Sequence, residues 1–291
     1  MKLYAPSTIR EIKEKHGFRL SKSLGQNFLT DKNIIDEIVA SAQINPNDLV
    51  VEIGPGIGVI TTEAAKYAKK VIAVEIDKNF IPILKETLEG RENIEVINQD
   101  ILKTDVNSLI DSCSENFTGV KILGNLPYYI TTPIIMKLLE DGVKADSITI
   151  MMQKEVADRI NALPGTKAYG ALSVAVQYYC TAEAVVNVPK EVFIPQPKVD
   201  STVLRLQIRK EKPVLLENRE MFFKCVKAGF GQRRKTLLNS LMGIDGITKE
   251  IVRKALDEVG IDSSRRAETL DLKEFAELSN EIFSRLTEKG I

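Results

Sequence analysis

The chain has 291 residues, enough for one large domain and a small one, since single cores stop growing at roughly 250 to 300 residues. Its 44% hydrophobic and 27% charged residues are ordinary for a soluble globular protein, and no stretch approaches the ~18 uncharged apolar residues of a membrane span. Charge interrupts the first residues before a secretory core can form, and Cys113, Cys180 and Cys225 are odd in number and far apart. Export, a disulfide framework, a zinc pair and a membrane partner are therefore not expected, and a reducing cytoplasm is.

Forty basic residues balance forty acidic ones, so total charge points to no anionic partner. The distribution is uneven from the start: residues 1–22 carry Lys2, Arg10, Lys13, Lys15, Arg19 and Lys22 against Glu11 and Glu14. Alone, such a run reads as a solvated face. From residue 31 the pattern becomes periodic. Ile34, Ile35, Ile38, Val39 and Ala42 fall at helical spacing after the possible caps Thr30 and Asp31. Leu49–Ile53 then forms a short apolar run ending at glycines, the pattern of a strand buried on both faces.

That strand runs into Glu52-Ile53-Gly54-Pro55-Gly56-Ile57-Gly58. The glycines let the chain turn tightly and bring bare backbone against a ligand of nucleotide type. Their spacing is neither that of a dinucleotide fingerprint nor, without a following Lys-Ser/Thr, that of a P-loop, so a phosphate cradle is disfavoured. The glycines by themselves also admit a purely structural turn. Glu52 is a candidate for stabilising a nearby cation, or a surface acid at a strand end.

A helical stretch near 59–69 leads to a strand at Val71–Glu75, whose last residue lies 21 positions after Gly54. There a carboxylate can accept bonds from both hydroxyls of a ribose. After a helix near 78–89 and a strand at Ile94–Ile97 comes Asp100, placed to accept a bond from an adenine amine. Together these residues describe an adenosine site with no phosphate requirement.

The fourth strand, Val120–Leu123, closes in Gly124-Asn125-Leu126-Pro127-Tyr128-Tyr129. An exocyclic adenine amine is a weak nucleophile because its lone pair is delocalised into the ring. The Asn125 side-chain oxygen and the Leu126 carbonyl can each accept one N–H, leaving a pyramidal nitrogen aimed at an electrophilic carbon. Pro127 has no N–H to compete and stiffens the turn, and Tyr128 offers a flat face for the base. Asn and Pro alone would suit any strand-ending turn. No strong base is needed if the proton leaves after transfer. The single histidine, His16, lies outside these elements, and no Ser-His-Asp or Cys-His set can be assembled.

Helical stretches near 132–141 and 154–162 flank a strand at Ser147–Met151, and another helical stretch covers 171–180. Strands alternating with helices predict an α/β fold with a mostly parallel, doubly wound sheet. Ala182–Val188 and Thr202–Ile208 lack a crossover helix between them, which predicts an antiparallel pair at one sheet edge. Beyond residue 209 only helices are predicted, near 217–229, 233–242, 248–259 and 271–288. The expected division is a catalytic domain over 1–208 and a small all-helical domain over 209–291. Within the latter, residues 219–235 carry Arg219, Lys224, Lys227, Arg233, Arg234 and Lys235 against Glu220 alone. Two basic runs flanking such a domain favour nucleic acid, and Arg233, Arg234 and Lys235 are expected at a helix start. No long apolar heptad predicts an oligomer, so a monomer is expected.

With these motifs in place the sequence resembles the ribosomal RNA adenine dimethyltransferases, most closely the bacterial small-subunit branch, over nearly its whole length. The resemblance rests on Lys22–Leu29, Glu52–Gly56, Gly124–Tyr129, Pro164–Gly170, Val192–Ser201 and Phe230–Lys235. It implies a Rossmann-like S-adenosylmethionine-dependent methyltransferase fold, with cofactor contacts at Asn27, Leu29, Gly54, Glu75, Asp100 and Asn125. Phe193 is implied as a second aromatic wall opposite Tyr128, although an aromatic between prolines otherwise reads as packing. The implied substrate is a pair of adjacent adenosines in the hairpin near the 3′ end of 16S rRNA, dimethylated on an assembling small subunit, with no metal. Rival readings are the large-subunit methyltransferase of macrolide resistance, a non-catalytic assembly factor and an NAD-dependent oxidoreductase. The Pro164–Gly170 loop and Arg233-Arg234-Lys235 disfavour the first, the intact Asn125–Tyr128 motif the second, and the glycine spacing the third.

Overall fold

A computed structural model describes residues 1–17, 27–113, 116–232 and 234–288. These form two compact units, 1–157 with 182–208 and 158–181 with 209–291.

In the first unit, six buried residues of β2 (Asp48–Ile53) form the sheet's centre, as the unbroken apolar run requires. Beside it lie β3 (Lys70–Glu75), β4 (Ile94–Asn98), β5 (Gly119–Asn125) and β6 (Ser147–Gln153), all parallel. Their order is β4-β3-β2-β5-β6, continued by β9 (Ser201–Ile208) and then β7 (Cys180–Val188) at the edge. β9 runs antiparallel to β6. The predicted mostly parallel sheet with an antiparallel edge is thus present.

The chain leaves β2 for β3 and β4 on one side and returns to build β5 and β6 on the other. This reversal makes the carboxyl end of β2 a topological switch point, where open α/β sheets leave a crevice. Register aligns Ile53 with Val74 and with Gly124, so the three strand ends share one rim.

The connecting helices are α3 (Val59–Ala64), α4 (Phe80–Thr87), α5 (Val106–Asp111) and α6 (Thr131–Glu140). They are preceded by α1 (Pro6–His16) and α2 (Lys32–Ser41). Asp31 caps α2 by accepting from the N–H groups of Asn33 and Ile34 at 2.8 and 3.2 Å. α1 lies within the basic N-terminal run, and its Ile9 and Ile12 join Phe28, Ile57, Phe80 and Leu84 in one apolar cluster. Two short strands, β1 (Phe28–Leu29) and β8 (Phe193–Ile194), pair antiparallel, with Phe28 opposite Ile194 and Leu29 opposite Phe193. Neither α1, α5 nor this strand pair was predicted.

The second unit corrects the expected boundary at its N-terminal side. Residues 158–181, including α8 (Ala171–Tyr179), belong with the helical part rather than with the sheet unit. The reason is aromatic packing against α9 (Arg219–Gly231): Tyr178 lies 5.5 Å from Phe222, and Tyr179 stacks on Phe223 at 5.9 Å. The buried Tyr169 hydroxyl also donates to the Leu270 carbonyl at 2.9 Å.

The helix predicted over 233–242 is mostly absent. α10 is confined to Leu237–Ser240, followed by a 3-10 turn at Leu241–Gly243. Gln232 leaves helical geometry, and the Leu237 N–H donates to the Arg265 carbonyl instead of starting a longer helix. Arg234 and Lys235 therefore occupy a turn, not a helix start, and Arg233 lies outside the described residues. The remaining helices, α11 (Lys249–Glu258) and α12 (Leu272–Glu288), fall where predicted.

Candidate active site

A cleft opens at the switch point, enclosing about 1000 Å³ with its solvent-open mouth included, the upper end of the roughly 300–1,000 Å³ typical of small-molecule sites. Its walls bring together Asn27, Leu29, Gly54, Glu75, Asp100, Asn125, Leu126 and Pro127, all singled out from the sequence. Phe28, Ile76, Ile101, Tyr129 and Ile130 also line it. Phe28 and Tyr129 belong to motifs quoted from the sequence without a role of their own, and sequence reasoning did not find Ile76, Ile101 and Ile130, because isolated apolar residues after strand ends carry no distinctive spacing.

Gly54 and Gly56 have φ of +68° and +58°, a left-handed region that costs other residues roughly 1–2 kcal/mol. Gly56 also has no room for a side chain, since an added Cβ would meet the Phe28 ring at 3.2 Å. Both constraints leave bare backbone facing the cleft. The Gly56 N–H donates to Glu75 Oε2 at 3.3 Å, and the Asp77 N–H to Glu75 Oε1 at 2.8 Å.

Glu75 is buried, and burial pushes its carboxyl above the usual range while these two backbone bonds pull it back. Each oxygen keeps a lone pair for a ligand hydroxyl. Glu75→Ala should weaken S-adenosylmethionine binding by about 1.5 to 3 kcal/mol, the range for hydrogen bonds to a charged group. Calorimetry measures this, and unchanged affinity with an intact fold would remove Glu75 from the ribose site. Asp100, half-buried at the adjoining rim, is oriented by the Leu102 N–H at 3.0 Å.

At the other end of the cleft the Asn125 amide is fixed by one bond, Nδ2 donating to the Asn27 carbonyl at 3.2 Å. A carbonyl partner demands the NH₂ end, so Oδ1 is turned the other way and remains an acceptor. Pro127 closes the turn through its carbonyl, which accepts from the Ile130 N–H at 3.1 Å and Thr131 Oγ1 at 3.0 Å. Tyr128 does not line the cleft. Its ring is half-buried and its hydroxyl is anchored to Ser201 Oγ at 2.8 Å, whereas Tyr129 lines the opening and is 59% exposed.

Phe193 lies outside the cleft lining, buried in a core cluster with Leu29, Met151, Val186 and Val203. Its strand is stitched to the segment bearing Asn27 by the β1–β8 pair and by Thr30, whose N–H and hydroxyl both donate to the Val192 carbonyl at 2.8 and 2.9 Å.

Glu52 reaches the cleft from the end of β2 while 1% exposed. Burial pushes its carboxyl up to about 8, opposed in part by the Thr61 hydroxyl and reinforced to a lesser degree by the charge of Glu75. Among the described residues no group of His, Cys, Asp and Glu is arranged to hold a metal ion, and no helix is long and apolar enough to cross a membrane. Burial pushes the Cys180 and Cys225 thiols up to about 12, which disqualifies them as nucleophilic thiolates.

The sheet order, the glycine turn at its switch point and the acids closing β2 and β3 define the Rossmann-like fold of S-adenosylmethionine-dependent methyltransferases. The residues fit such a ligand: bare glycine backbone, a buried carboxylate that accepts one backbone N–H on each oxygen, and a second, more deeply buried acid face one cleft. The model of one family, ribosomal RNA adenine dimethylase, matches residues 17–283. The chain is 53% identical over 288 residues to ribosomal RNA small subunit methyltransferase A of Clostridioides difficile, covering 99% of both chains. It is 52% identical to the protein of the same name from Geobacillus thermodenitrificans, covering 94% of this chain and 95% of that one. Among solved structures, a dimethyladenosine transferase from Plasmodium falciparum superposes with a TM-score of 0.74 at 28% identity, over 90% of this chain and 98% of that one. The 23S rRNA methyltransferase ErmE gives 0.65 at 30% identity, over 88% and 99%. The chain belongs to the ribosomal RNA adenine dimethylase family and is a methyltransferase.

Proposed function

We propose that the chain transfers methyl groups from S-adenosylmethionine to N6 of two adjacent adenosines in the hairpin near the 3′ end of 16S rRNA, on the assembling small subunit in the cytoplasm. The observation that carries the chemistry is the Asn125 amide, pinned through Nδ2 to Asn27 so that Oδ1 is preset as an acceptor on the rim of the glycine-lined cleft. Small-subunit methyltransferases match over nearly their whole length at about half identity, against 30% for the large-subunit enzyme ErmE, which supports the small-subunit target.

S-adenosylmethionine, when bound, supplies an electrophilic methyl group. Glu75 holds the ribose, Asp100 accepts from the adenine of the cofactor, and Asn27, Leu29 and Gly54 enclose it. Asn125 Oδ1 and the Leu126 carbonyl each accept an N–H of the target amine, which directs its lone pair at the methyl carbon. After transfer the nitrogen is strongly acidic, so its proton passes to water without a dedicated base. Tyr128 is assigned to the base, with its hydroxyl anchored to Ser201, whereas Phe193, buried in the core beneath Leu29, supports the segment bearing Asn27 rather than forming a second wall of the base pocket.

Arg233, Arg234 and Lys235 are assigned to RNA phosphates, with the target base flipped out of its stack. Arg234 and Lys235 are exposed and form no ion pair among the described residues, whereas Lys224 is paired with Glu220 at 2.7 Å. Attraction decays over about 8 Å at physiological salt, so a local cluster outweighs zero net charge. Replacing all three with Ala should lower small-subunit affinity and flatten its salt dependence by up to about three phosphate contacts. Wild-type affinity and salt slope would make them a solvated face. The activity itself is tested by incubating the protein with labelled S-adenosylmethionine and small subunits lacking the modification: label should enter 16S rRNA of these subunits and not that of modified ones. Equal labelling of large subunits would favour the other branch, and no labelling with intact binding would favour an assembly role.

A further inference from the structure

Glu52 is the most deeply buried carboxylate facing the cleft; among the described residues the Thr61 hydroxyl is the one side-chain donor near it, and neither Glu52 Oε2 nor Thr61 Oγ1 makes a well-formed hydrogen bond. Its ladder neighbours are apolar, Ala73 on β3 and Leu123 on β5, and from α3 it meets only the neutral Thr61. The charged group that reaches it is Glu75, of like sign, and no ion pair to Glu52 occurs among the described residues. A carboxyl so placed is held in its neutral form by burial, yet an uncompensated buried polar group is costly unless something else completes it. A glutamine of the same shape would serve if neutrality were all that was needed. An ionisable group there is useful when the missing partner is a cation that comes and goes.

We infer that Glu52 reads the charge of the ligand in the cleft, giving up its proton when the cationic sulfonium donor binds and recovering one when the neutral thioether product replaces it. This rests on the reading that the cleft holds S-adenosylmethionine. In methyl transfer the carbon–sulfur bond of the sulfonium breaks, the carbon–nitrogen bond forms, and the amine's proton leaves to solvent. Glu52 takes no part in those bonds. Its own proton is exchanged with solvent, so the sum of ligand and Glu52 charge stays constant across the reaction. The donor is thereby favoured by a carboxylate that the product does not retain.

The sign follows from linkage. Glu52 is mostly protonated at pH 7 with its carboxyl near 8, so binding a cation that ionises it releases about 0.9 proton. Donor affinity should then rise by close to tenfold per pH unit between about pH 6.5 and 7.5 and level off above pH 8. Product affinity should be markedly flatter.

Calorimetric titration of the wild-type protein in two buffers of different ionisation enthalpy counts these protons directly for S-adenosylmethionine and for S-adenosylhomocysteine. The expected result is a release near one proton for the donor, distinctly less for the product, and no donor-linked release in Glu52→Gln at an unchanged melting temperature. Equal release for the two ligands, or undiminished release in Glu52→Gln, overturns the inference. Should Glu52→Gln fail to fold, carboxyl carbon NMR of the wild-type protein decides instead: the Glu52 resonance must titrate near pH 8 alone and stay ionised at pH 7 with donor. Absence of any binding by either ligand would instead overturn the cofactor reading.

Discussion

Asn125→Ala will reduce methyl transfer by about 10² to 10³, the loss seen when one preorganised polar group is removed from an active site, while small-subunit binding changes little. The amide is a single acceptor whose direction is set in advance by the Asn27 carbonyl at 3.2 Å. Its stabilisation is needed most when the amine becomes pyramidal, so the loss belongs to kcat rather than to binding. Asn125→Asp offers two acceptors but no donor for the Asn27 carbonyl, so it should fail to restore the rate although it is the closer mimic in shape. Single-turnover kinetics with saturating subunits measures both. If binding to unmodified subunits falls as far as the rate, Asn125 is a recognition residue and the proposed acceptor role is wrong.

Phe222→Ala is expected to destabilise the second unit by about 3–5 kcal/mol, the cost of truncating a fully buried aromatic. Phe222 is wholly buried between Tyr178 of α8 and Phe223, with ring centroids at 5.5 and 5.1 Å. The same variant should keep its S-adenosylmethionine affinity at temperatures where it is folded, since every cleft residue comes from the sheet unit. Chemical denaturation reads the first effect and calorimetry the second. A double-mutant cycle with Tyr178→Ala should show a coupling of about 0.5–3 kcal/mol between contacting residues. Additive losses would show that α8 does not share a core with α9.

The central strands were legible because residues buried on both faces leave an unbroken apolar run, and β2 to β6 fall where Leu49–Ile53, Val71–Glu75, Ile94–Ile97, Val120–Leu123 and Ser147–Met151 place them. The site followed from the same signal, since glycines and acids at strand ends must share a rim when the strands are parallel. What was missed depends on tertiary contact. α1 buries little more than Ile9 and Ile12 among charged residues, too sparse a stripe to stand out from a basic run. β1 and β8 have two residues each, too short for any period, and exist because the pairing of Leu29 with Phe193 closes over Met151 and Val203. Helix α8 was found, but its allegiance to the second unit rests on Tyr178 and Tyr179 meeting side chains more than forty residues further along. The apolar spacing around Leu237 and Leu241 suggested a helix from residue 233, but the Arg265 carbonyl captures the Leu237 N–H and shortens it.

Nucleoside mass spectrometry is the most direct test of the central claim, that the preset Asn125 acceptor and the glycine-lined cleft together methylate adenine at N6. Small subunits lacking the modification would be treated with the protein and S-adenosylmethionine, and their 16S rRNA digested to nucleosides. The expected product is N6,N6-dimethyladenosine at two residues per subunit with the wild-type protein and about a hundredfold less at equal time with Asn125→Ala. Methyl groups appearing on another base or on ribose, or equal yields from the two proteins, would contradict it.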